Sequence, residues 1–442
     1  MNATTRLTFA VSGLLVTALL VLYSADAHAV IDGVVYDGVA FNLRAKVDHI
    51  QTPDGGAPLI WGYTAGTRAQ YPGPTLIVNE GDNVVVSLVN DIPDLPVSIV
   101  FPGQDNVTTI GGTPGLMTQE APADGTTVVT YTFTASHPGT YMYHSGTRPE
   151  LEVEMGLFGA LIVRPSLGSD HAYNHADSFF DREYLFLHSE MDPRIHDTVE
   201  FEGVAALDNT DYLANYDPNY WFYNGRAAPD TLFPAGVPWL PTQPYNILPL
   251  MHPGDKVLLR IIGGGRDMHP FHPHGNHVRI IARDGRLLES SPGAGADLSH
   301  KIFTIPVAPG ETFDTIFEWT GKGLGYDVYG TTADGPQFAH DCIDNDGDGF
   351  DDTNSEYCAD HGKPLPVTIP EGLELAFGGF WSGSPFLGSS GALPPGEGGL
   401  NPGGGYTFPW HSHSEKEIIN YGIFPGGQLT FVIVLDHGIP LP

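Results

Sequence analysis

The stretch Asn79-Glu-Gly-Asp-Asn-Val-Val-Val-Ser-Leu-Val-Asn90 places a polar turn before a run of β-branched and apolar residues. Such a turn followed by such a run predicts a β-strand over Asn83–Asn90. The same order recurs where Met251-His-Pro-Gly-Asp255 precedes the apolar run Lys256–Ile262. This weak internal repeat predicts two similar β units in tandem.

The residues around both copies support an all-β fold. Val129, Tyr131 and Phe133 alternate with threonines, which is the period of a half-buried strand. Glycine and proline are frequent, at 55 and 38 residues, and they interrupt the chain too often for a helical bundle. Short strands at this spacing predict β-sandwiches, and no convincing amphipathic helix is present.

The chain divides into a signal segment, two domains and a connection. Leu7–Tyr23 is apolar and Ala27-His28-Ala29 has the form of a signal-peptidase site, so 1–29 is predicted to be cleaved. The alternative is an uncleaved membrane anchor. With no later stretch apolar enough to span a bilayer, the mature protein is expected to be exported, to a periplasm or the extracellular space. The predicted domains are 30–165 and 244–442, joined by an irregular connection over 166–243.

The charge of the chain restricts its partners. Its 52 acidic and 19 basic side chains give a net charge of −33. Affinity for nucleic acid comes largely from lysine and arginine, and anionic membranes attract the same residues, so both partners are excluded.

An acidic loop at about 337–365 contains the only two cysteines, Cys342 and Cys358. In an oxidising compartment they are expected to form a disulfide, which would stabilise the fold by roughly 3 kcal/mol. Between them, carboxylates alternate with glycines as in calcium-binding loops. A calcium site and a solvated acidic surface loop are the two interpretations of Asp344, Asp346, Asp348 and Asp352.

Histidines carry the strongest chemical signal. Residues i and i+2 of a strand face the same way, so His272 and His274 form one pair and His411 and His413 another. Two such pairs on neighbouring strands would direct four imidazoles towards one point. Imidazole is a common ligand of transition metals, and this set suits copper first and zinc or iron next.

Other polar residues have weaker patterns. His252, His300, His340, His361 and His437 lack partnered spacing and are expected to be structural or exposed. The stretch His188-Ser-Glu-Met-Asp192 is expected to have a surface role, although a place beside the site is the alternative.

Several motifs together resemble the multicopper oxidases over nearly all of the mature chain. They are Tyr71-Pro-Gly-Pro-Thr75, Gly139-Thr-Tyr-Met-Tyr-His-Ser145 with Gly156–Val163, His269-Pro-Phe-His-Pro-His-Gly275 and His411-Ser-His413. The resemblance implies two cupredoxin-like Greek-key β-sandwiches. In the family, four His-x-His pairs hold a trinuclear copper cluster that reduces oxygen, and a Cys, two His and often a Met hold a blue (type 1) copper.

The chain departs from the family pattern at the blue copper. Ser412 stands where the family has its cysteine, and Glu417 stands where it has a histidine. The region of the axial methionine reads Gly426-Gly-Gln428, so only His269 remains of these ligands. A hydroxyl does not supply the soft thiolate that a blue copper needs, so this copper is expected to be absent.

The trinuclear ligand set is also reduced. Val100, Pro102 and Gly146 occupy positions of family histidines. Five remain, and together with His269 they are the predicted copper ligands, with a capacity of one or two ions: His144, His272, His274, His411 and His413.

Three functions fit these features. The first is an exported copper-dependent oxidoreductase with a reduced histidine site, in which Glu415, the next residue of the His411–His413 series, handles protons or binds the metal. The second is a copper carrier without turnover, and the third is a structural surface-assembly protein. Expected partners are a small-molecule or metal-ion substrate and a redox protein. The resemblance makes a homotrimer plausible, with His144 of one chain completing a site on the next.

Overall fold

The computed structural model describes residues 31–365, 386–388, 391–392, 400–401 and 404–442. The predicted signal segment 1–29 lies outside these residues, so its cleavage stays a prediction.

The strands of the first sandwich are β1 (Val34–Val35), β2 (Phe41–His49), β3 (Leu59–Thr64), β4 (Leu76–Asn79), β5 (Asn83–Asn90), β6 (Thr108–Ile110), β7 (Thr113–Pro114), β8 (Gln119–Glu120), β9 (Val129–Thr134), β10 (Gly139–His144) and β11 (Phe158–Arg164). They form two mixed sheets, in the orders β1-β4-β11-β10 and β3-β2-β5-β9-β6, beside a small β7–β8 hairpin. In β5, Val84, Val86 and Leu88 point into the core while their neighbours are more exposed, as the alternating pattern predicts.

The strands of the second sandwich are β12 (Arg182–Met191), β13 (Tyr220–Tyr223), β14 (Leu250–Met251), β15 (Val257–Gly263), β16 (His269–Pro273), β17 (Val278–Arg283), β18 (Arg286–Leu287), β19 (His300–Ile302), β20 (Ile305–Val307), β21 (Thr312–Phe317), β22 (Gly391–Ala392), β23 (Leu400–Asn401), β24 (Tyr406–Ser412) and β25 (Leu429–Val434). Two sheets build this sandwich. One has the order β13-β12-β15-β21-β17-β18 with β19 beside β17, and the other has the order β14-β25-β24-β16-β20. Strands β22 and β23 pair only with each other.

Helices are short in the described part of the chain. They are the α-helices α1 (Pro149–Glu152) and α2 (Pro193–Phe201), and 3₁₀ turns at Ala176–Ser178, Val204–Asn209, Asp230–Leu232, Pro336–Phe338, Cys358–Asp360 and Glu415–Ile418. Among the described residues, no helix has the length and apolar character needed to cross a membrane. The all-β prediction of two tandem cupredoxin-like sandwiches is confirmed.

The region 166–243 is more than an irregular connection. Its strand β12 pairs in parallel with β15 along Arg182–His188, and β13 extends the same sheet. Because the sheet of the second sandwich includes these strands, the predicted boundary at 243/244 divides one structural unit.

In the described part of the chain, the contacts between the sandwiches include an apolar cluster and a buried polar network. An apolar cluster combines Tyr71 and Phe158 of the first sandwich with Leu187 and Phe222 of the region 166–243 and Ile262 of the second. Beside it lies a buried polar network, whose centre is the fully buried Arg260 of β15.

Arg260 links three elements of this network. Its Nε donates to Glu183 Oε2 at 2.9 Å, and its Nη1 donates to Thr140 Oγ1 at 3.1 Å. Thr140, on β10 of the first sandwich, in turn donates to Asp314 Oδ1 at 2.5 Å. Hydrogen bonds at this depth compensate the cost of burying the charges.

Replacing Arg260 by Met should lower the free energy of unfolding by about 3–5 kcal/mol, because Glu183 and Asp314 lose a buried cationic partner. Chemical denaturation followed by fluorescence measures this change. Arg68→Met is the matched control, since Arg68 pairs with Asp48 at the surface, where an ion pair contributes about 1 kcal/mol or less. Equal effects of the two substitutions would contradict the importance of the network.

Candidate functional site

Two adjacent strands bring four histidines together. Strand β16 pairs antiparallel with β24, and His272 lies directly opposite His411. His274 and His413 follow just beyond the strand ends. The ring of His272 is centred 4.7 Å from that of His274, 5.7 Å from that of His411 and 4.8 Å from that of His413. The sequence-predicted convergence of four imidazoles is therefore present in the fold.

The closest nitrogens of this histidine cluster have the spacing of two metal ligands. His274 Nε2 and His411 Nε2 are 3.2 Å apart. Two nitrogens bound about 2.0 Å from one ion at the tetrahedral angle lie about 3.3 Å apart. His411 Nδ1 donates to the Ser412 carbonyl at 2.7 Å, which leaves the lone pair on Nε2, facing His274.

The environment keeps the imidazoles neutral, the form that binds metals. Burial, together with the neighbouring histidines, lowers the pKa of His272 and that of His274 to about 4. Burial also lowers the pKa of His411. The donor set thus fits copper, which accepts neutral imidazole.

The cluster is open on one side. His413 has 53% of its side chain exposed and its Nδ1 lies 3.3 Å from Glu415 Oε1. Glu415 itself is 79% exposed. Strand β24 ends at Ser412 and a 3₁₀ turn begins at Glu415, so Glu415 does not continue the same-face series as expected. Its contact with the cluster is at His413.

His144 lies in the other sandwich, at the end of β10. Its Nδ1 donates to the Ser145 carbonyl at 2.8 Å, and within the described part of the chain its ring contacts none of the four histidines. At Gly146, where the family has a further histidine, an added Cβ would lie 2.7 Å from a Val100 methyl. The first sandwich therefore offers only His144 at this position.

His269 is separate from the histidine cluster and fully buried. Its Nε2 lies 2.8 Å from Glu190 Oε2, and its Nδ1 lies 2.9 Å from Glu417 Oε2. Burial lowers its pKa, but the hydrogen bonds to Glu190 and Glu417 outweigh burial and raise it to about 9. Both ring nitrogens therefore carry protons at neutral pH, which argues against the prediction that His269 binds copper in this arrangement.

Sequence reasoning missed the role of Glu190. The stretch His188–Asp192 was expected at the surface, but His188 and Glu190 are buried in β12. The signal was available in the apolar run Leu185–Leu187 directly before it, which is typical of a strand buried on both faces. Glu417 is likewise buried and accepts a hydrogen bond from Ser412 Oγ at 2.6 Å.

The acidic loop contains the predicted disulfide, Cys342–Cys358. Carboxylate oxygens of Asp344, Asp346 and Asp348 come within 4.8 Å of one another on the exposed side of the loop. Asp352 does not join them, since its carboxylate accepts a hydrogen bond from the Asn345 side chain. Calcium binding by this loop stays a prediction.

Comparison with known proteins relates part of the chain to a known family. A model of the multicopper oxidase family matches residues 57–167. The predicted resemblance is confirmed. Residues 57–167 therefore resemble a multicopper oxidase domain.

Curated relatives agree with this assignment. The chain is 43% identical over 100 residues to the multicopper oxidase MCE of Talaromyces pinophilus, an alignment that covers 22% of this chain and 16% of the relative. It is 36% identical over 112 residues to an L-ascorbate oxidase of Cucurbita maxima, covering 25% and 19%. The chain thus aligns with about a fifth or less of the length of these multicopper oxidase relatives. The family implies copper binding.

Solved structures extend the likeness in fold to about nine tenths of the chain. The multicopper oxidase mgLAC superposes with a TM-score of 0.53 at 19% identity, over 91% of this chain and 87% of its own. The blue copper oxidase of Nitrosomonas europaea superposes with a TM-score of 0.52 at 19% identity, over 89% and 85%.

Replacing His269 by Gln should destabilise the protein by about 3–5 kcal/mol near pH 6, because Glu190 and Glu417 lose a buried cation. The folded-state pKa of His269 is raised above 6.5, so its stabilisation is complete below pH 6.5 and is lost as pH rises through about 9. Denaturation of both proteins from pH 6 to 10 measures the difference.

The control is His49→Gln, since His49 pairs with Glu200 at 3.0 Å on the surface. A difference between wild type and His269→Gln that stays constant from pH 6 to 10 would contradict a charged His269.

Proposed function

We propose that the protein is an exported copper-binding oxidoreductase related to the multicopper oxidases. In this proposal His272, His274, His411 and His413 hold one or two copper ions. The observation that carries it is the antiparallel pairing of His272 with His411, which brings four imidazoles together. Bound copper would supply one-electron redox chemistry.

We further propose that no blue copper is present, and the surroundings of His269 support this. The positions of the family's copper ligands are occupied by groups that satisfy one another: Glu417 accepts from Ser412 and contacts His269, whose other nitrogen contacts Glu190. A charged imidazole between two carboxylates already provides the positive charge that a metal would bring. Both cysteines are committed to the disulfide, so no thiolate is available.

The reduced ligand set supports a capacity of one or two ions. His144 is the remaining candidate ligand of the first sandwich, where it lies at the end of β10. In a homotrimer, His144 of one chain would complete the site of its neighbour. The lone pair on its Nε2, opposite the bonded Nδ1, suits such a role.

The residues at the open side of the cluster have simple roles in this proposal. The Ser412 carbonyl holds His411 with Nε2 towards the ion position. Glu415, exposed and 3.3 Å from His413, exchanges protons between this histidine and solvent.

A cleft in the second sandwich supports a small-molecule substrate. It has a volume of about 560 Å³, and its lining includes Gly275, the residue that follows His274 in the sequence. Its lining includes the basic residues Lys256, Arg279, Lys301 and Lys322, which favour an anionic substrate on a chain of net charge −33.

A copper carrier without turnover is the second candidate. The observation that favours it is the 53% exposure of His413, since an accessible ligand allows an ion to pass to a partner protein. The exported location in either case is supported by the disulfide. Calcium in the acidic loop, at Asp344, Asp346 and Asp348, would be structural in both.

Copper analysis of the mature protein, together with its visible spectrum and its oxygen consumption, tests the proposal. We expect one or two coppers per chain, no intense blue band, and turnover that His411→Ala abolishes with loss of copper. His49→Ala, at the surface, is the control and should keep both copper and turnover.

Each other outcome has a distinct meaning. Copper without turnover would identify the carrier, and an intense blue band would contradict the absence of the blue copper. Metal-free protein whose fold survives His272→Ala with His411→Ala would indicate a structural protein.

A further inference from the structure

A second group of metal-binding side chains lies on the acidic disulfide loop and shares no residue with the histidine cluster. Asp327, His340, Glu356 and His361 place one donor atom each within 4.8 Å of all the others. The carboxylates are buried, with side-chain exposures of 0% for Asp327 and 1% for Glu356. The imidazoles are at the edge, with 21% of His340 and 33% of His361 exposed.

The donors of these four side chains lie close enough to share one ion. His340 Nε2 lies 3.0 Å from Glu356 Oε2 and 3.6 Å from Asp327 Oδ1. His361 Nδ1 lies 3.0 Å from Glu356 Oε1 and 3.6 Å from Asp327 Oδ2. Each imidazole therefore faces a different oxygen of each carboxylate, and each separation is near the roughly 3.4 Å between two donors about 2.0–2.1 Å from one tetrahedral zinc ion.

Hydrogen bonds outside the group orient its members. His340 Nδ1 donates to the Phe338 carbonyl at 2.8 Å, so its Nε2 is the nitrogen that faces both carboxylates. Asp327 accepts backbone N–H groups of Tyr329 and Gly362 at 3.0 and 2.8 Å, one on each oxygen. Such outer partners fix metal ligands in their productive orientation.

The charge of the group accommodates a divalent cation. In the described part of the chain, neither Asp327 nor Glu356 forms an ion pair with a lysine or arginine, and the nearby Lys363 pairs with Asp360 instead. Two buried carboxylates require positive charge close by, which comes either from protons on the neighbouring imidazoles or from a metal ion that replaces those protons. A dication between two carboxylates and two neutral imidazoles would make the group neutral.

The disulfide brings the ligands to this place. His340 and Glu356 each lie two residues before a bonded cysteine, and His361 lies three residues after Cys358. Asp327 lies between Tyr326 and Val328, both buried in the core of the second sandwich. An ion shared by these four residues would therefore fasten the loop to the sandwich.

We propose that Asp327, His340, Glu356 and His361 form a structural zinc site that holds the disulfide loop on the second sandwich. Two nitrogen and two oxygen donors suit zinc, and four protein ligands are typical of structural sites. The proposal is independent of copper binding at the histidine cluster.

Zinc titration of the mature, disulfide-intact protein, after removal of metals with a chelator, tests the site. We expect wild type to bind one more Zn²⁺ than His361→Ala, with affinity at that site reduced by more than about 100-fold in the variant. Zinc should raise the thermal midpoint of wild type and leave that of His361→Ala unchanged. Cobalt in place of zinc should give wild type the visible absorption of a tetrahedral ion.

Three further variants separate this site from the histidine cluster and from misfolding. His272→Ala with His411→Ala should keep the zinc-dependent rise in thermal midpoint, and His49→Ala is the surface control. Glu356→Gln tests a buried ligand, while the partly exposed His361 can be replaced with little risk to the fold. Equal zinc binding by wild type and His361→Ala, or a thermal shift lost only with the histidine cluster, would overturn the proposal and leave the copper function intact.

Discussion

The parallel pairing of β12 with β15 is the contact on which much of the molecule depends. Near one end of β12, Glu183 binds Arg260 of β15, and through Thr140 this network reaches the first sandwich. Near the other end, Glu190 contacts His269. One strand from the region between the predicted domains therefore joins the sandwiches and also supplies the carboxylate that contacts His269. Loss of this pairing would expose several buried charges at once, each expensive without its partner.

The buried histidines differ because their neighbours differ. His269 lies between two carboxylates, and these raise its pKa despite burial. His272 and His274 have other imidazoles as neighbours, so burial and like charge act together to lower theirs. The first environment stabilises a proton, and the second leaves lone pairs for a metal. Strand β16 carries His269 and His272, and His274 follows directly after its end, so the two environments lie only a few residues apart.

In the disulfide loop too, the surroundings of the charged side chains decide how they are stabilised. Its exposed side carries Asp344, Asp346 and Asp348, which water can solvate. Its inner side carries Glu356, which water does not reach and which shares two imidazoles with Asp327. A cation matters more to the inner group than to the outer one, since the cost of an unpaired charge rises with burial.

Much of this protein was determined by local sequence. Alternation in stretches such as Val129–Thr134 specified strands, the repeated turn before Asn83 and Lys256 specified two units, and paired spacing brought His272 next to His411 once their strands were neighbours. The disulfide followed from the presence of only two cysteines. These features depend on a side-chain period of two, which can be read along a single segment.

Only the tertiary structure decided the rest. In the structure, Glu190 and Glu417 contact His269, and Asp327 lies beside His361. The spacing of these residues in the sequence does not indicate which residues pair. The exposure of Glu415 was decided by the end of β24 at Ser412. Spacing in the sequence indicates which way neighbouring side chains point. Two charged residues that are distant in the sequence come together only through the packing of several strands, which excludes water and makes each charge need the other as a partner.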